Sequence, residues 1–412
     1  MPQQRGAARP EAARSTIRTL ALSSLLVALV MGSTAPTPFW PLYQARLGYG
    51  AGTTTLLFTC YVMALVPATL IAGPVADRLG RRGPVAVSVF LAGVSLWALA
   101  TASSVVWLAA GRLLQGLAVG AAGPPLTSGL LAVEPRTNRP AASLFVTVAL
   151  TAAAGFGPVL SGVLASGGQP IRAYATAGGL LALTAFPAFA LLPPRERGER
   201  REPNGRCRTF LDDPAARRRL AGASARSLLA WAIGYVSLAL TPSFAIAVTH
   251  RRTLLLVGAS AGLLLLISAV VQVLAARVKT QSATRFGLLS LASGLLVLGI
   301  APFLPSIEII LVALAVLGIG HGLVFMTALR AATAAAPPAG DGTTAAVFFA
   351  VTYLGGGLTV LGVGGLSTLI GLVAALQVFC LCGAVAAMLH VRGLMGVDKV
   401  ARQVGFNKPR VP

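Results

Sequence analysis

Twelve apolar blocks of about 20 residues alternate with short polar connections along the chain. They lie near 19–40, 52–73, 83–103, 105–126, 141–165, 171–192, 226–248, 253–276, 284–304, 306–329, 343–366 and 369–391. At 1.5 Å per residue, about 20 apolar residues span the hydrocarbon core of a bilayer as a helix. One long polar stretch, 193–225, is rich in Pro, Arg, Glu and Asp and divides the blocks into two sets of six. The pattern predicts an all-α membrane protein of 12 transmembrane helices in two six-helix lobes. The expected divisions are an N-tail (1–18), an N-terminal lobe (19–192), a linker (193–225), a C-terminal lobe (226–392) and a C-tail (393–412).

The first block also resembles a cleaved leader, because Arg5, Arg9, Arg14 and Arg18 precede an apolar run ending in Ser33-Thr34-Ala35. The run continues through Pro36, Phe39 and Trp40, and its loss would leave eleven spans in unequal halves. It is therefore read as span 1.

Composition supports this class. Of 412 residues, 56% are hydrophobic and only 11% are charged, against about 25% in soluble domains. Both a disordered chain and a soluble enzyme are disfavoured. A net charge of +22 would otherwise suggest nucleic acid. The basic residues instead form short clusters between apolar blocks, where they would face anionic lipid head groups. With the N-terminus inside, 28 Lys and Arg fall in cytoplasmic segments and 4 in outer loops, and Arg112 lies within span 4. This asymmetry puts both termini in the cytoplasm of a multi-pass cell-membrane protein. Cys60, Cys207, Cys380 and Cys382 lack redox or zinc spacing and are read as packing residues.

Two six-span halves around a charged linker are the layout of a secondary transporter. After span 2 comes Gly73-Pro74-Val75-Ala76-Asp77-Arg78-Leu79-Gly80-Arg81-Arg82. This resembles the G-x-L-A-D-R-x-G-R-[RK] loop of the major facilitator superfamily, departing only at Val75. Gly73 and Gly80 permit a tight turn and close helix approach. Asp77 can accept from the free amides that open a neighbouring helix. The resemblance implies that this helix is span 11, starting near Asp341, and that Arg81 pairs with Glu134. The set Gly73, Asp77, Arg78, Gly80, Arg81, Arg82 and Glu134 would then latch the cytoplasmic side. Simple topology charge is the alternative.

Span 4 carries Gly111-Arg112-Leu113-Leu114-Gln115-Gly116, similar to the family's R-x-x-Q-G motif. An Arg within a span costs about 2.5–3.5 kcal/mol on insertion scales, so Arg112 either faces a functional cavity or snorkels to the interface. Gly116 and Gly120 form a small-residue packing face. Span 5 carries Ala153 to Gly162, which looks like the antiporter motif G-x-x-x-G-P-x-x-G-G with Ala153 and Ser161 in place of two Gly. Gly157, Pro158 and Gly162 keep the pattern. The resemblance implies export by antiport, with span 5 packed on the opposite lobe at span 8.

Eleven acidic residues are present, none near a span centre. The only mid-depth titratable group is His321, in Gly318-Ile319-Gly320-His321-Gly322 of span 10. It is either a proton carrier, suited by its ordinary pKa, or a histidine satisfied by a backbone carbonyl or Ser/Thr. The resemblance implies that spans 1, 4, 7 and 10 line the cavity. They offer Thr34, Thr37, Phe39, Arg112, Gln115, Trp231, Tyr235, His321, Phe325 and Thr327, a lining for an amphipathic molecule.

No Walker loop and no HExxH occur. Gly258-Ala259-Ser260-Ala261-Gly262 spells a nucleophile elbow, but it falls in a span and reads as a packing face. No enzymatic activity, cofactor or metal is expected. The resemblance is to the twelve-span drug:proton antiporters. It implies a monomer exporting drugs, antibiotics or metabolites, with protons as coupling ion. A proton-coupled nutrient importer and a non-transporting receptor or assembly subunit are the alternatives.

Overall fold

The computed structural model of the chain describes residues 4–133, 139–165, 169–192, 213–251, 253–334 and 341–405. Among them every regular element is helical, because a backbone in lipid must satisfy its own hydrogen bonds. The order is α1 (Gln4–Thr34), α2 (Trp40–Leu47), α3 (Ala51–Leu79), α4 (Arg82–Ala100), α5 (Val105–Val133), α6 (Arg139–Leu164) and α7 (Pro170–Leu191). The second half continues with α8 (Pro214–Thr249), α9 (Leu254–Leu274), α10 (Thr280–Ile300), α11 (Ile307–Ala334), α12 (Asp341–Ile370) and α13 (Leu372–Gly405). Twelve of these segments are long and apolar enough to cross a membrane; the short α2 continues span 1.

The helices overrun the apolar blocks. Residues 73–79, read as a loop, are the last turns of α3, and only Gly80 takes the positive φ of 94° that ends it. Likewise α8 begins at Pro214, where Asp213 accepts from the amide of Ala215 at 2.8 Å. Residues 214–225 are therefore helix rather than linker. Hydropathy locates the lipid-embedded part of a helix, whereas caps set where it starts. Span 1 is the opposite case. It stops at Thr34, makes a 3-10 turn at Thr37–Phe39 and restarts as α2, where Pro36, Pro38 and Pro41 together remove three N–H donors within six residues.

With an even number of spans, both chain ends fall on one face of the bundle, here the termini face. The halves meet along two seams, α3 with α12 and α6 with α9. Both seams are built on missing side chains. A Cβ on Gly364 would lie 1.8 Å from Thr55 Oγ1, and one on Gly262 2.2 Å from the carbonyl oxygen of Gly155. Small residues let backbones touch where lipid supplies no hydrophobic drive. The seams reach the far face, where Gly52 meets Thr368 and Gly162 meets the Leu254 carbonyl. Gly258 and Gly262 thus serve as packing positions, and the Ser260 hydroxyl is closed on the Val257 carbonyl at 2.8 Å.

The exterior is apolar. Phe90, Phe186 and Leu369 are 69%, 80% and 81% exposed, a surface for acyl chains. Trp97 and Trp107 stack edge to face at 6.0 Å near the far face, as interfacial aromatics do. Cys380 is buried, but Cys60 is half-buried and Cys382 exposed. The packing reading therefore holds for Cys380 and fails for Cys382; Cys207 lies outside the described residues.

Candidate functional site

Arg112 is placed by glycine. A Cβ on Gly116 would lie 2.2 Å from the Tyr61 carbonyl oxygen, and one on Gly120 2.6 Å from that of Leu65. Thus α5 lies directly on α3. One turn earlier, Arg112 falls in the corner between α1, α3 and α5, only 3% exposed. The end of α1 supplies its acceptors. Pro36 has no N–H for the Gly32 carbonyl, so Gln115 Nε2 donates to that carbonyl at 3.1 Å. Arg112 Nη1 donates to the Ser33 carbonyl at 2.9 Å and to Gln115 Oε1 at 2.6 Å. The guanidinium carbon lies 4.5 Å from the ring centroid of Tyr61, 5.6 Å from Phe58 and 5.7 Å from Trp40. Arg112 therefore does not snorkel: it is buried and held by neutral groups and ring faces. Its Nε has no partner.

His321 is placed in the same way. Cβ atoms on Gly318 and Gly322 would lie 2.5 Å and 2.6 Å from the carbonyl oxygens of Leu264 and Ser268 on α9. The helices close around the imidazole, which is fully buried. Its Nδ1 meets Ser268 Oγ at 2.8 Å. Gln272 Nε2 donates to that same Ser268 Oγ at 3.2 Å and to Thr151 Oγ1 on α6 at 3.3 Å. Because Ser268 receives Gln272, its hydroxyl hydrogen is free for Nδ1. When the Ser268 hydroxyl donates to Nδ1, the neutral imidazole carries its hydrogen on Nε2. That nitrogen has no partner and faces Gly234 of α8, whose added Cβ would sit 3.3 Å away. A serine satisfies Nδ1, and Nε2 is bare.

Aromatic rings join the two sites. Phe58 of α3 meets Tyr235 of α8 at 5.2 Å across the halves. Tyr235 meets Trp231 at 5.2 Å, and Trp231 meets His321 at 5.2 Å, Phe325 at 5.4 Å and Tyr353 at 5.9 Å. Most of these contacts are edge to face, the favourable geometry for ring quadrupoles. The Trp231 indole Nε1 has no acceptor.

Of the expected lining, Arg112, Gln115, Trp231, Tyr235, His321 and Phe325 come together. Others do not. Phe39 packs against Tyr174 at 5.5 Å inside the first half. Thr34 packs on Gly157, whose Cβ would lie 2.1 Å from its hydroxyl. Thr37 is buried in the 3-10 turn, and the Thr327 hydroxyl is closed on the Leu323 carbonyl at 2.8 Å. Thr37 and Phe39 follow the break after Thr34 in span 1, whereas Thr327 lies on unbroken α11. Ser268, Gln272, Thr151, Phe58, Tyr61 and Tyr353 are additions from helices outside the expected four. Phe58 and Tyr61, three apart, were a legible signal of one aromatic helix face.

In the span 5 motif, the Pro158 carbonyl and Gly162 face α9: a Cβ on Gly258 would lie 2.5 Å from that carbonyl oxygen and one on Gly162 2.5 Å from the Leu254 carbonyl oxygen, while Gly157 faces α1. Ala153 and Ser161 are buried. In the latch motif, Gly73 approaches Pro124 of α5 and Arg82 lies over the Phe189 ring at 5.7 Å, within its own half. Arg81 opens onto α4 as its N-cap. The side chains of Asp77 and Arg78, and all of Glu134, lie outside the described residues.

The family model described as Major Facilitator Superfamily matches residues 20–360. The chain is 36% identical over 172 residues to the gallate transporter of Pseudomonas putida, covering 40% of this chain and 35% of that one. It is 33% identical over 144 residues to the multidrug export protein EmrB of Haemophilus influenzae, covering 35% and 28%. It is 28% identical over 110 residues to the bacillibactin exporter of Bacillus subtilis, covering 26% and 27%. The chain thus matches about a third or less of the length of these curated relatives. Among solved structures, a POT family transporter in complex with 5-aminolevulinic acid superposes with a TM-score of 0.73 at 12% identity, over 91% of this chain and 95% of that one. A bacterial homologue of the lysosomal transporter Spinster, inward-facing and unoccupied, gives 0.72 at 15%, over 93% and 98%. Likeness at these identities is likeness of fold. The family match, the twelve-helix bundle and these superpositions together make the chain a member of the Major Facilitator Superfamily.

Proposed function

We propose that the protein is a secondary active transporter of the cell membrane that exports small amphipathic organic molecules by proton antiport. One observation carries this reading: fully buried His321 is linked through Ser268 and Gln272 to Thr151 in the other half. Protonation turns Nδ1 from acceptor to donor. Ser268 must then receive from both His321 and Gln272, and its own hydrogen must find another acceptor. The bond network at the α6–α9 seam is thereby tied to the charge on His321. Alternating access requires that such a seam open and close.

The 28-to-4 distribution of Lys and Arg supports cytoplasmic termini, linker and tails. In that orientation the glycine seams at the far face close the extracellular side. The span 5 motif and the two relatives named as exporters support the outward direction. The driving force is the proton gradient, worth about 2.3 kcal/mol per charge per 100 mV. The protein acts as a monomer, with its Arg clusters against anionic lipid.

The test is a compound-efflux panel in cells with and without an uncoupler. Uncoupler-sensitive efflux that depends on the protein supports export. Uncoupler-sensitive accumulation makes it an importer, and the absence of any gradient-driven movement makes it a non-transporting member of the fold.

A further inference from the structure

Among the described residues no acidic side chain contacts Arg112. The acidic side chains that are described, Asp213 and Glu308, are exposed at the starts of α8 and α11. The groups that hold the guanidinium are two neutral oxygens and three ring faces. Taking an ion out of water costs several kcal/mol unless an opposite charge offsets it. The same cluster holds three buried nitrogens with no acceptor: Arg112 Nε, Trp231 Nε1 and His321 Nε2. Arg112 Nε and Trp231 Nε1 are N–H donors in every state, and His321 Nε2 is one when Ser268 donates to Nδ1. A site with one uncompensated cation and three orphan donors is complementary to a molecule that brings negative charge and oxygen acceptors.

We propose that the transported molecule is an organic anion, a carboxylate on a flat aromatic body with an oxygen at its far end. This rests on the reading that the protein moves small amphipathic molecules and narrows their class. The carboxylate binds on the Nε side of the Arg112 fork, whose planar geometry matches it. The body lies among Tyr61, Phe58, Tyr235 and Trp231. The distal oxygen accepts from Trp231 Nε1 or His321 Nε2. The far end thus touches the imidazole whose charge governs the α6–α9 seam, which joins binding to gating.

The experiment uses the full chain reconstituted in proteoliposomes with an imposed proton gradient. Three matched probes are compared: 6-hydroxy-2-naphthoate, its neutral carboxamide, and the cationic 6-hydroxy-2-naphthylmethylammonium. Wild type should move the carboxylate at least about tenfold faster than either analogue. Arg112→Gln should bring the three rates together, and Arg112→Lys should keep part of the preference. The wild-type ratio is decisive even where a variant does not fold. Equal or faster transport of the amide or the cation overturns the anion proposal and leaves transport standing. Preferential uptake of the carboxylate in the importing direction leaves the anion site standing and overturns export. No binding of the carboxylate to wild-type protein in equilibrium dialysis overturns the anion proposal as well.

Discussion

Gln272 of α9 donates to Thr151 of α6 at 3.3 Å, joining the second half to the first one turn beyond the serine that holds His321. The bond lies on the seam where glycines let the two backbones touch. Gln272→Leu removes it while keeping an apolar chain of similar length. The expected cost in thermal stability is about 0.5–1.5 kcal/mol. Substrate binding should persist, while the rate of exchange and its pH dependence change. Thermal unfolding in detergent, dialysis and a pH series read these separately. An unaltered pH profile in a folded variant would remove Gln272 from the coupling.

His321→Gln keeps a donor or acceptor for Ser268 but cannot take up a proton. With wild type, efflux should rise as external pH falls, because binding of an external proton drives the exchange. In the variant the profile between about pH 5.5 and 8, which brackets the ordinary histidine value, should be flat. A wild-type profile in His321→Gln would exclude this imidazole as the carrier.

The seam itself is testable without transport. Gly262→Ala places a methyl 2.2 Å from the Gly155 carbonyl oxygen. Overpacking of this kind should destabilise by about 1–3 kcal/mol. A Cβ on Gly178 would meet nothing within 4 Å, so Gly178→Ala should unfold at the wild-type temperature. Equal melting of the two variants would show that α6 and α9 are not in contact in the membrane protein.

Asp77→Asn tests the latch. A neutral amide interacts more weakly with the start of a helix than a carboxylate does. The variant should insert and fold normally yet transport several-fold more slowly. Wild-type rates from a variant present at wild-type levels would reduce Asp77 to a topology charge.

The family and the number of spans were legible because both are local properties. Twenty apolar residues make a span wherever they occur, and the run from Gly73 to Arg82 carries its signature in ten consecutive positions. The close contact of span 5 with span 8 was legible for a related reason, since glycine on both helices leaves little else for them to do. Helix ends were less legible. Asp213 and Pro214 start α8 by capping, and hydropathy does not register a cap. The site itself depended on tertiary structure. Arg112 and His321 stand out in sequence, but nothing local says that Pro36 strips the Gly32 carbonyl of its donor and so anchors Gln115 beside Arg112. Nor does sequence reveal that Phe58 and Tyr235, 177 positions apart, meet at 5.2 Å and connect the cation to the imidazole. The residue types and spans are written along the chain. Which buried donors lack acceptors is decided only when helices distant in sequence close on one another, because satisfaction of a polar group is a property of its neighbours in space.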